Sequence, residues 1–404
     1  MDVLKFVDAS GRVFLLLGLV EIKVMDLIFS HPPSLPEYVY IHYPLCRHHC
    51  SYCDFNVYRA DDQDVGFSDL WRSALVSQLR YWKERCEWGG VSLKGLYLGG
   101  GTPSLLSPEV IRKTLEDLKS EGLSFGDQTE VTIECNPESL TEDKLIGFRD
   151  CGINRISLGI QSFQDTQLRR LERLATQKHI HASIGWVFKH FKNFSLDLML
   201  GLPDQTDELF ERDLNEILKV KPPHISAYIL TLSEDHVWKT SSGMKHRMIQ
   251  DERVEEFYLR LVTELKQAGF HHYEVSNFAR PGSESRHNKN YWDVESSYLG
   301  LGPGAHGYLG KCRYESIRDP KAWMQSHHGI AWSEQLTLEQ QEIEKFYMTL
   351  RTRQPAQISE FRSVEIAALQ QAALIQTDQQ NQNFTLTDRG WLLIESVAGR
   401  LVKP

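Results

Sequence analysis

The chain has 404 residues, 41% of them hydrophobic, enough to fill one large core and a smaller one. Its formal net charge of −9, with no clustered run of Lys and Arg, argues against a general affinity for nucleic-acid backbone. Seven cysteines, an odd number in a chain this long, do not form the pattern of a disulfide framework and point to a reducing cytoplasm.

In chain order, the apolar stretch from Val13 to Val20 falls far short of the roughly 20 residues that span a bilayer, and no small-residue cleavage site follows it. Residues 1–35 are set apart as an N-terminal extension, and the first 24, upstream of Met25, are expected to be an appendage or to precede the native start. From there strands are expected at 38–42, 95–98, 131–135, 155–160, 195–200 and 225–230, where β-branched and aromatic residues cluster. Helices are expected between them at 70–86, 108–118, 142–150, 165–189 and 208–218. Ser107 before Pro108, and Thr141 before Glu142 and Asp143, are N-terminal helix signals.

Strand followed by helix, repeated, predicts an α/β fold with a parallel sheet, either closed into a full or partial (β/α) barrel or open and doubly wound. The polar and glycine-rich segments fall after the strands: the cysteine loop, "GGGTPS", "NPES", "QSF" and "GLPDQT". In either architecture strand ends face one side, so the site is assembled from several loops around one mouth. Residues 36–310 are read as the core. Residues 311–404 are read as a small helical domain with a β wing, whose interspersed charges favour a packing or lid role over DNA binding.

Cys46, Cys50 and Cys53 form CxxxCxxC, which can wrap one soft-metal cofactor in a single loop. Structural zinc wants four protein ligands, and a fourth could come from Cys135, His48 or His49. A four-iron cluster on three cysteines instead leaves one iron open for a substrate. Cys86, Cys135, Cys151 and Cys312 are expected to be ordinary thiols.

With Tyr52 just before the last cysteine, this loop resembles that of the radical SAM superfamily, in which S-adenosylmethionine chelates the open iron. "LYLGGGTPSLL", "IECNPESL", "GINRISLGIQSF", "SLDLMLGLP", "YEVSNFARPGSESRHNKNYW" and "YLGLGPGAHG" together resemble its HemN/HemW branch, in order over about residues 36 to 310. The resemblance implies a partial, TIM-like barrel, a [4Fe-4S] cluster and reductive cleavage of S-adenosylmethionine by an electron from that cluster. Beside it, the residues have physical roles. Gly99, Gly100 and Gly101 let a ligand approach the backbone, and Thr102 and Pro103 stiffen the exit. Glu134 ends an apolar strand, where a carboxylate must accept hydrogen bonds, for instance from ribose hydroxyls. Gln161 and Asp197 stand at equivalent strand ends, and Arg173 can meet a carboxylate, although "LERLATQKH" departs from the family's Arg-x-His pattern. The resemblance adds Tyr40 and Tyr52 to this S-adenosylmethionine set.

Within the branch, the anaerobic coproporphyrinogen III oxidases carry a further cysteine two positions after the third, where this chain has Phe55. "HNKNYW" matches an HNxxYW motif associated with heme binding in the heme-trafficking members. His287 offers an imidazole for iron, Asn288 belongs to the motif, and Tyr291 and Trp292 offer flat faces to a porphyrin. His42 and His306 are rival ligands. The resemblance thus implies a cytoplasmic heme chaperone that delivers heme to heme-requiring acceptor proteins and takes electrons from a donor protein. It leaves open enzymatic activity, a homodimer and a peripheral membrane contact. The alternatives are an oxygen-independent coproporphyrinogen III oxidase and a zinc-stabilised binding module.

Overall fold

The computed structural model describes residues 5–7, 13–15, 34–60, 66–233, 236–240, 246–358, 363–380 and 382–402. Lys5–Val7 and Val13–Leu15 pair as a short antiparallel ribbon. The expectation about a start at Met25 concerns residues that otherwise lie outside the described ones. Among the described residues, no helix is long and apolar enough to cross a membrane.

The strand and helix alternation read from the sequence is present. In chain order the elements are β1 (Tyr38–Tyr43), α1 (Phe67–Arg85), β2 (Gly95–Gly100), α2 (Pro108–Ser120), β3 (Glu130–Cys135) and α3 (Glu142–Asp150). Next come β4 (Arg155–Gln161), α4 (Asp165–Arg170), α5 (Gln177–His190), β5 (Asn193–Leu200), α6 (Asp207–Val220) and β6 (His224–Ile229). Ser107 caps α2 by accepting from the Val110 N–H, with Pro108 in the first turn, as the sequence signal predicts. The stretch 165–189, expected as one helical region, is two helices. Glu172 turns into the left-handed region at φ 55°, and Thr176 restarts the chain with a capping box to His179.

The chain continues through α7 (Asp251–Gln267), β7 (His271–Glu274), β8 (Asn277–Ala279), α8 (Arg286–Tyr291), β9 (Tyr298–Leu301), β10 (His306–Leu309), β11 (Cys312–Ser316) and β12 (Ile330–Gln335). It ends in α9 (Leu338–Leu350), α10 (Ser363–Gln371), a small three-stranded sheet and α11 (Ile394–Leu401). The short strands β7 to β12 were not expected from the sequence. They are four to six residues or fewer, broken by glycine turns, and too brief to give a clear period.

Backbone contacts gather the chain into two compact units. The first comprises residues 1–134, 150–152 and 297–336. Its sheet grows outward from β1, which is parallel to β2 on one side (Tyr38 opposite Gly95) and to β9 on the other (Tyr298 opposite Tyr38). β2 continues parallel to β3, and β9 continues through antiparallel β10, β11 and β12. Along the parallel strands Val39, Ile41, Leu96, Leu98, Val131 and Ile133 bury one face, while the alternate positions carry Tyr40, His42, Tyr97, Thr132 and Glu134, so one face is core and the other can build a site.

The second unit comprises residues 135–149, 153–296 and 337–404. In it β4, β5 and β6 run parallel, and β6 is followed by antiparallel β8 and β7. A further apolar cluster within this unit gathers Leu369, Phe384, Trp391, Val397 and Ala398, all nearly inaccessible, from the C-terminal helices and small sheet.

Candidate functional site

The cysteine loop leaves β1 and is closed at its base by a two-residue parallel pairing of Leu45 and Cys46 with Tyr58 and Arg59. Cys46, Cys50 and Cys53 are in no disulfide and are half-buried, whereas Cys86 and Cys312 are buried, with burial pushing their thiols up to about 12 and about 11. The first set is presented and the second is inert. The Thr102 hydroxyl donates to Cys46 Sγ at 3.3 Å, a contact that stabilises sulfur as thiolate. Among the described residues no three His, Cys, Asp or Glu side chains converge on a point that a single ion would occupy. A four-iron cluster asks something different of its ligands, because each thiolate takes a different iron.

Behind the loop stands a braced wall. His42 Nε2 lies 2.9 Å from the Asn56 carbonyl, which can only accept, so Nε2 carries the proton and Nδ1 accepts from the Tyr40 hydroxyl at 3.0 Å. Burial holds this imidazole at about 4, and with both nitrogens engaged it makes a poor iron ligand. Asn56 in turn donates to the carbonyls of Pro303 and Arg318, at 3.0 and 2.9 Å. A Cβ on Gly304 would stand 2.5 Å from the Asn56 amide, so the glycine turn of "GLGPG" is what lets the cysteine loop seat.

Gly100 has φ 110°, and a Cβ there would stand 2.6 Å from the His42 ring. Its N–H donates to Glu134 Oε2 at 3.0 Å, while the Gly101 N–H goes to the Tyr43 carbonyl at 2.7 Å. Both amides are therefore committed within the chain, and a ligand approaching this backbone would meet carbonyl oxygens, which suit an amino group. Glu134 ends β3 and also accepts from the Tyr97 hydroxyl at 2.7 Å. With a donor placed on each oxygen, the carboxylate is fixed in position. Tyr40 stacks on Tyr97 with ring centroids 6.2 Å apart, and burial raises its phenol. Tyr52 is half-buried in the loop itself. The first unit thus carries Tyr40, Tyr52, Gly100, Gly101, Thr102, Glu134 and the three cysteines, with Gly100 joined to Glu134 and Thr102 to Cys46.

The second unit holds the other expected residues. Gln161 closes β4 at φ 62°, beside a register shift between Gly159 and Gln161, a strained setting that non-glycine residues rarely adopt. Arg173 donates to Asn136 Oδ1 at 2.7 Å and to the Gly159 carbonyl at 3.0 Å, so its guanidinium is aimed at the ends of the strands despite the altered local pattern. Asp197 on β5 accepts from Ser157 at 2.8 Å and Ser195 at 3.0 Å, and burial raises its carboxyl.

"HNKNYW" folds as α8, capped by Ser285, whose hydroxyl accepts from the Asn288 N–H. His287 is only 5% exposed; burial, with Arg155 nearby, holds it at about 3, so it is neutral. Tyr291, one turn on, sets its ring edge-on to His287 at 4.7 Å. Asn290, on the same face, is buried, and its side-chain amide makes no hydrogen bond. Trp292 donates its indole N–H to Glu274 at 2.7 Å, and Arg351 lies over its ring at 5.6 Å. Tyr97, Asn56, Asn136 and Glu274 were missed by sequence reasoning. Tyr97 alone had a local signal, since it alternates with Gly95 and Gly99 on one strand.

The family profile described as the radical SAM superfamily matches residues 40–217. The chain is 34% identical over 319 residues to the "Heme chaperone HemW" of Bacillus subtilis, covering 77% of this chain and 82% of that protein. It is 32% identical to that of Mycobacterium tuberculosis over 92% of this chain and 96% of the relative. The chain belongs to the HemW family of the radical SAM superfamily. Among solved structures, coproporphyrinogen III oxidase (HemN) from Escherichia coli superposes with a TM-score of 0.78 at 21% identity, over 92% of this chain and 90% of that one. That likeness establishes for this HemW chain the radical SAM fold, an α/β partial barrel with a C-terminal domain. As a member of the superfamily it carries a [4Fe-4S] cluster and S-adenosylmethionine. The half-buried thiols, the hydroxyl on Cys46 and the fixed Glu134 carboxylate fit both groups.

Proposed function

We propose that this chain is a heme chaperone that binds heme at the 287–292 motif and hands it to heme-requiring proteins. Cys46, Cys50 and Cys53 hold the cluster; the residues assigned to S-adenosylmethionine are Tyr40, Tyr52, the Gly100 to Thr102 turn and Glu134 of the first unit, and Gln161, Arg173 and Asp197 of the second. When bound, the cluster supplies an open iron for S-adenosylmethionine and an electron, which a donor protein replenishes. Glu134 and Asp197 accept hydroxyls, Arg173 balances a carboxylate, and His287, Asn288, Tyr291 and Trp292 face heme. A cytoplasmic setting suits cysteines that form no disulfide. A homodimer or a peripheral membrane contact belongs to the same reading and is tested by sedimentation and vesicle flotation.

The observation that carries the reading is the motif helix. It holds a neutral imidazole, the form that ligates iron, on one face with a buried amide that makes no hydrogen bond. Such an amide marks a place completed by a ligand or water. Because His287 is buried, heme reaches it only as the helix shifts, which suits a carrier that must also release its cargo. His287→Ala should remove or shift the Soret band of bound heme and leave cluster iron unchanged. An unaltered spectrum in that variant, with loss in His306→Ala, would reassign the ligand; no heme binding by the parent would end the chaperone reading. The oxidase alternative is tested with coproporphyrinogen III under anaerobic reducing conditions. With the exposed Phe55 in place of the oxidase's cysteine, no turnover is expected.

A further inference from the structure

A line of buried polar groups in the second unit belongs to neither the cofactor set nor the heme motif, yet it joins a residue of one to the other. On β5 and β6, Ser195 faces His224 and Asp197 faces Ser226. Ser195 Oγ donates to Asp197 Oδ1 at 3.0 Å, His224 Nδ1 lies 2.8 Å from Ser195 Oγ, and His224 Nε2 lies 2.8 Å from the Tyr273 hydroxyl. The Ser285 N–H donates to that hydroxyl at 3.3 Å. Ser285 caps the motif helix, and Lys289 of the same helix sits over the Tyr273 ring at 5.7 Å. Ser195, His224 and Ser285 are at most 2% exposed, and Asp197 and Tyr273 are half-buried, so the Ser195–His224 bond at the middle of the line is the one best shielded from water.

The direction of every hydrogen on this line follows from its carboxylate end. Asp197 accepts, so Ser195 spends its one proton there, and its oxygen then accepts from His224 Nδ1–H and from the Ser226 hydroxyl, 3.0 Å away. Burial keeps His224 neutral, hence Nε2 is its acceptor and Tyr273 donates to it. Tyr273 then has lone pairs left for the Ser285 N–H. A one-way chain in a low-dielectric interior polarises along its length, so a change at one end alters how firmly the other is held.

We infer that Ser195, His224 and Tyr273 are positioning residues that couple a ligand on Asp197 to the setting of the 286–291 helix. This rests on the reading that Asp197 contacts S-adenosylmethionine, and it gives that molecule a role in presenting or releasing His287. A hydroxyl donated to Asp197 competes with Ser195 for the carboxylate, and the effect runs through His224 and Tyr273 to the cap of the helix.

The test uses the full chain with its cluster reconstituted and no heme, and reads hydrogen exchange of the segment 286–292 with and without S-adenosylmethionine. A change of about 5-fold in exchange rate is expected in the parent, the size of one hydrogen bond of about 1 kcal/mol. In Tyr273→Phe, which keeps the ring, that change should vanish while S-adenosylmethionine affinity measured by equilibrium dialysis stays at the parent's value. Ser195→Ala should uncouple the helix in the same way, and serves should the first variant fail to fold. A parent that binds S-adenosylmethionine with no change in the segment, or a Tyr273→Phe protein that keeps the full change, overturns the coupling. A parent that binds no S-adenosylmethionine overturns the reading of Asp197 instead, and the coupling with it.

Discussion

The cysteine loop and the motif helix carry the two sets of proposed metal ligands, and they are built in opposite ways. The loop presents half-buried thiols on a short segment pinned at its base and braced by Asn56. The motif keeps His287 inside, edge-on to Tyr291, with Trp292 tied to Glu274. A resident cofactor wants ligands that are ready before it arrives, whereas a cargo wants ligands whose exposure is controlled. Preorganisation favours tight retention, and a buried ligand that must be uncovered lowers apparent affinity by the fraction of time it is open.

The largest expected effect lies on the loop. Cys46→Ser, Cys50→Ser and Cys53→Ser should each abolish the cluster, read as iron and sulfide content after anaerobic reconstitution, while Cys86→Ser and Cys312→Ser keep the parent's iron. Full iron in the first three would erase the contrast between presented and inert thiols. Gly100→Ala should come next. It forces a side chain into the left-handed region against the His42 ring, a cost on the order of 1–3 kcal/mol from the backbone alone. Chemical denaturation checks this, with Gly126→Ala as the control, since nothing stands within 4 Å of a Cβ there. Asn56→Ala removes both bonds that hold the loop to the turn at 302–304 and to Arg318, at about 1–3 kcal/mol. Here the cluster should be lost faster to a chelator than in the parent; an equal rate would mean that the brace is not what keeps the loop ready.

A smaller effect sharpens the other side. Burial raises Glu274, beneath Trp292, to about 7 against an ordinary 4.5. The folded state therefore holds its proton where the unfolded chain has released it, and this group's contribution to stability falls as pH rises from about 4.5 to about 7. His272 is held down to about 4 by burial, so its contribution falls in the opposite direction, as pH drops from 6.5 towards 4. Glu274→Gln should gain on the parent as pH rises through the first window, by a few kcal/mol at most. Parallel stability curves for the two proteins would show that Glu274 is not the buried acid its contacts imply.

The parts that were legible share one property, which is that their information is local. The alternation that sets β1 to β6, the cap at Ser107 and the CxxxCxxC spacing all lie within a few residues of what they specify. The interruption at Glu172 was hidden because a left-handed residue inside a helical pattern leaves no mark on apolar periodicity. Strands β9 and β10 were hidden because Gly300 and Gly307 interrupt the two-residue period within four-residue strands. Gly300 and Gly307 have no room for a side chain against the neighbouring strands, so the sheet itself demands the residues that obscure it.

By itself, then, the amino-acid order determined the fold class, the three-cysteine spacing and the family resemblance, since each rests on period and spacing along the chain. Tertiary structure decided what those residues can do. It engaged both nitrogens of His42, committed the Gly100 amide to Glu134, fastened Trp292 to Glu274 and aligned Asp197, Ser195, His224 and Tyr273 in one line. These are contacts between groups on different strands and loops. Which donor meets which acceptor is fixed by strand register and packing, and neither periodicity nor motif spacing encodes it.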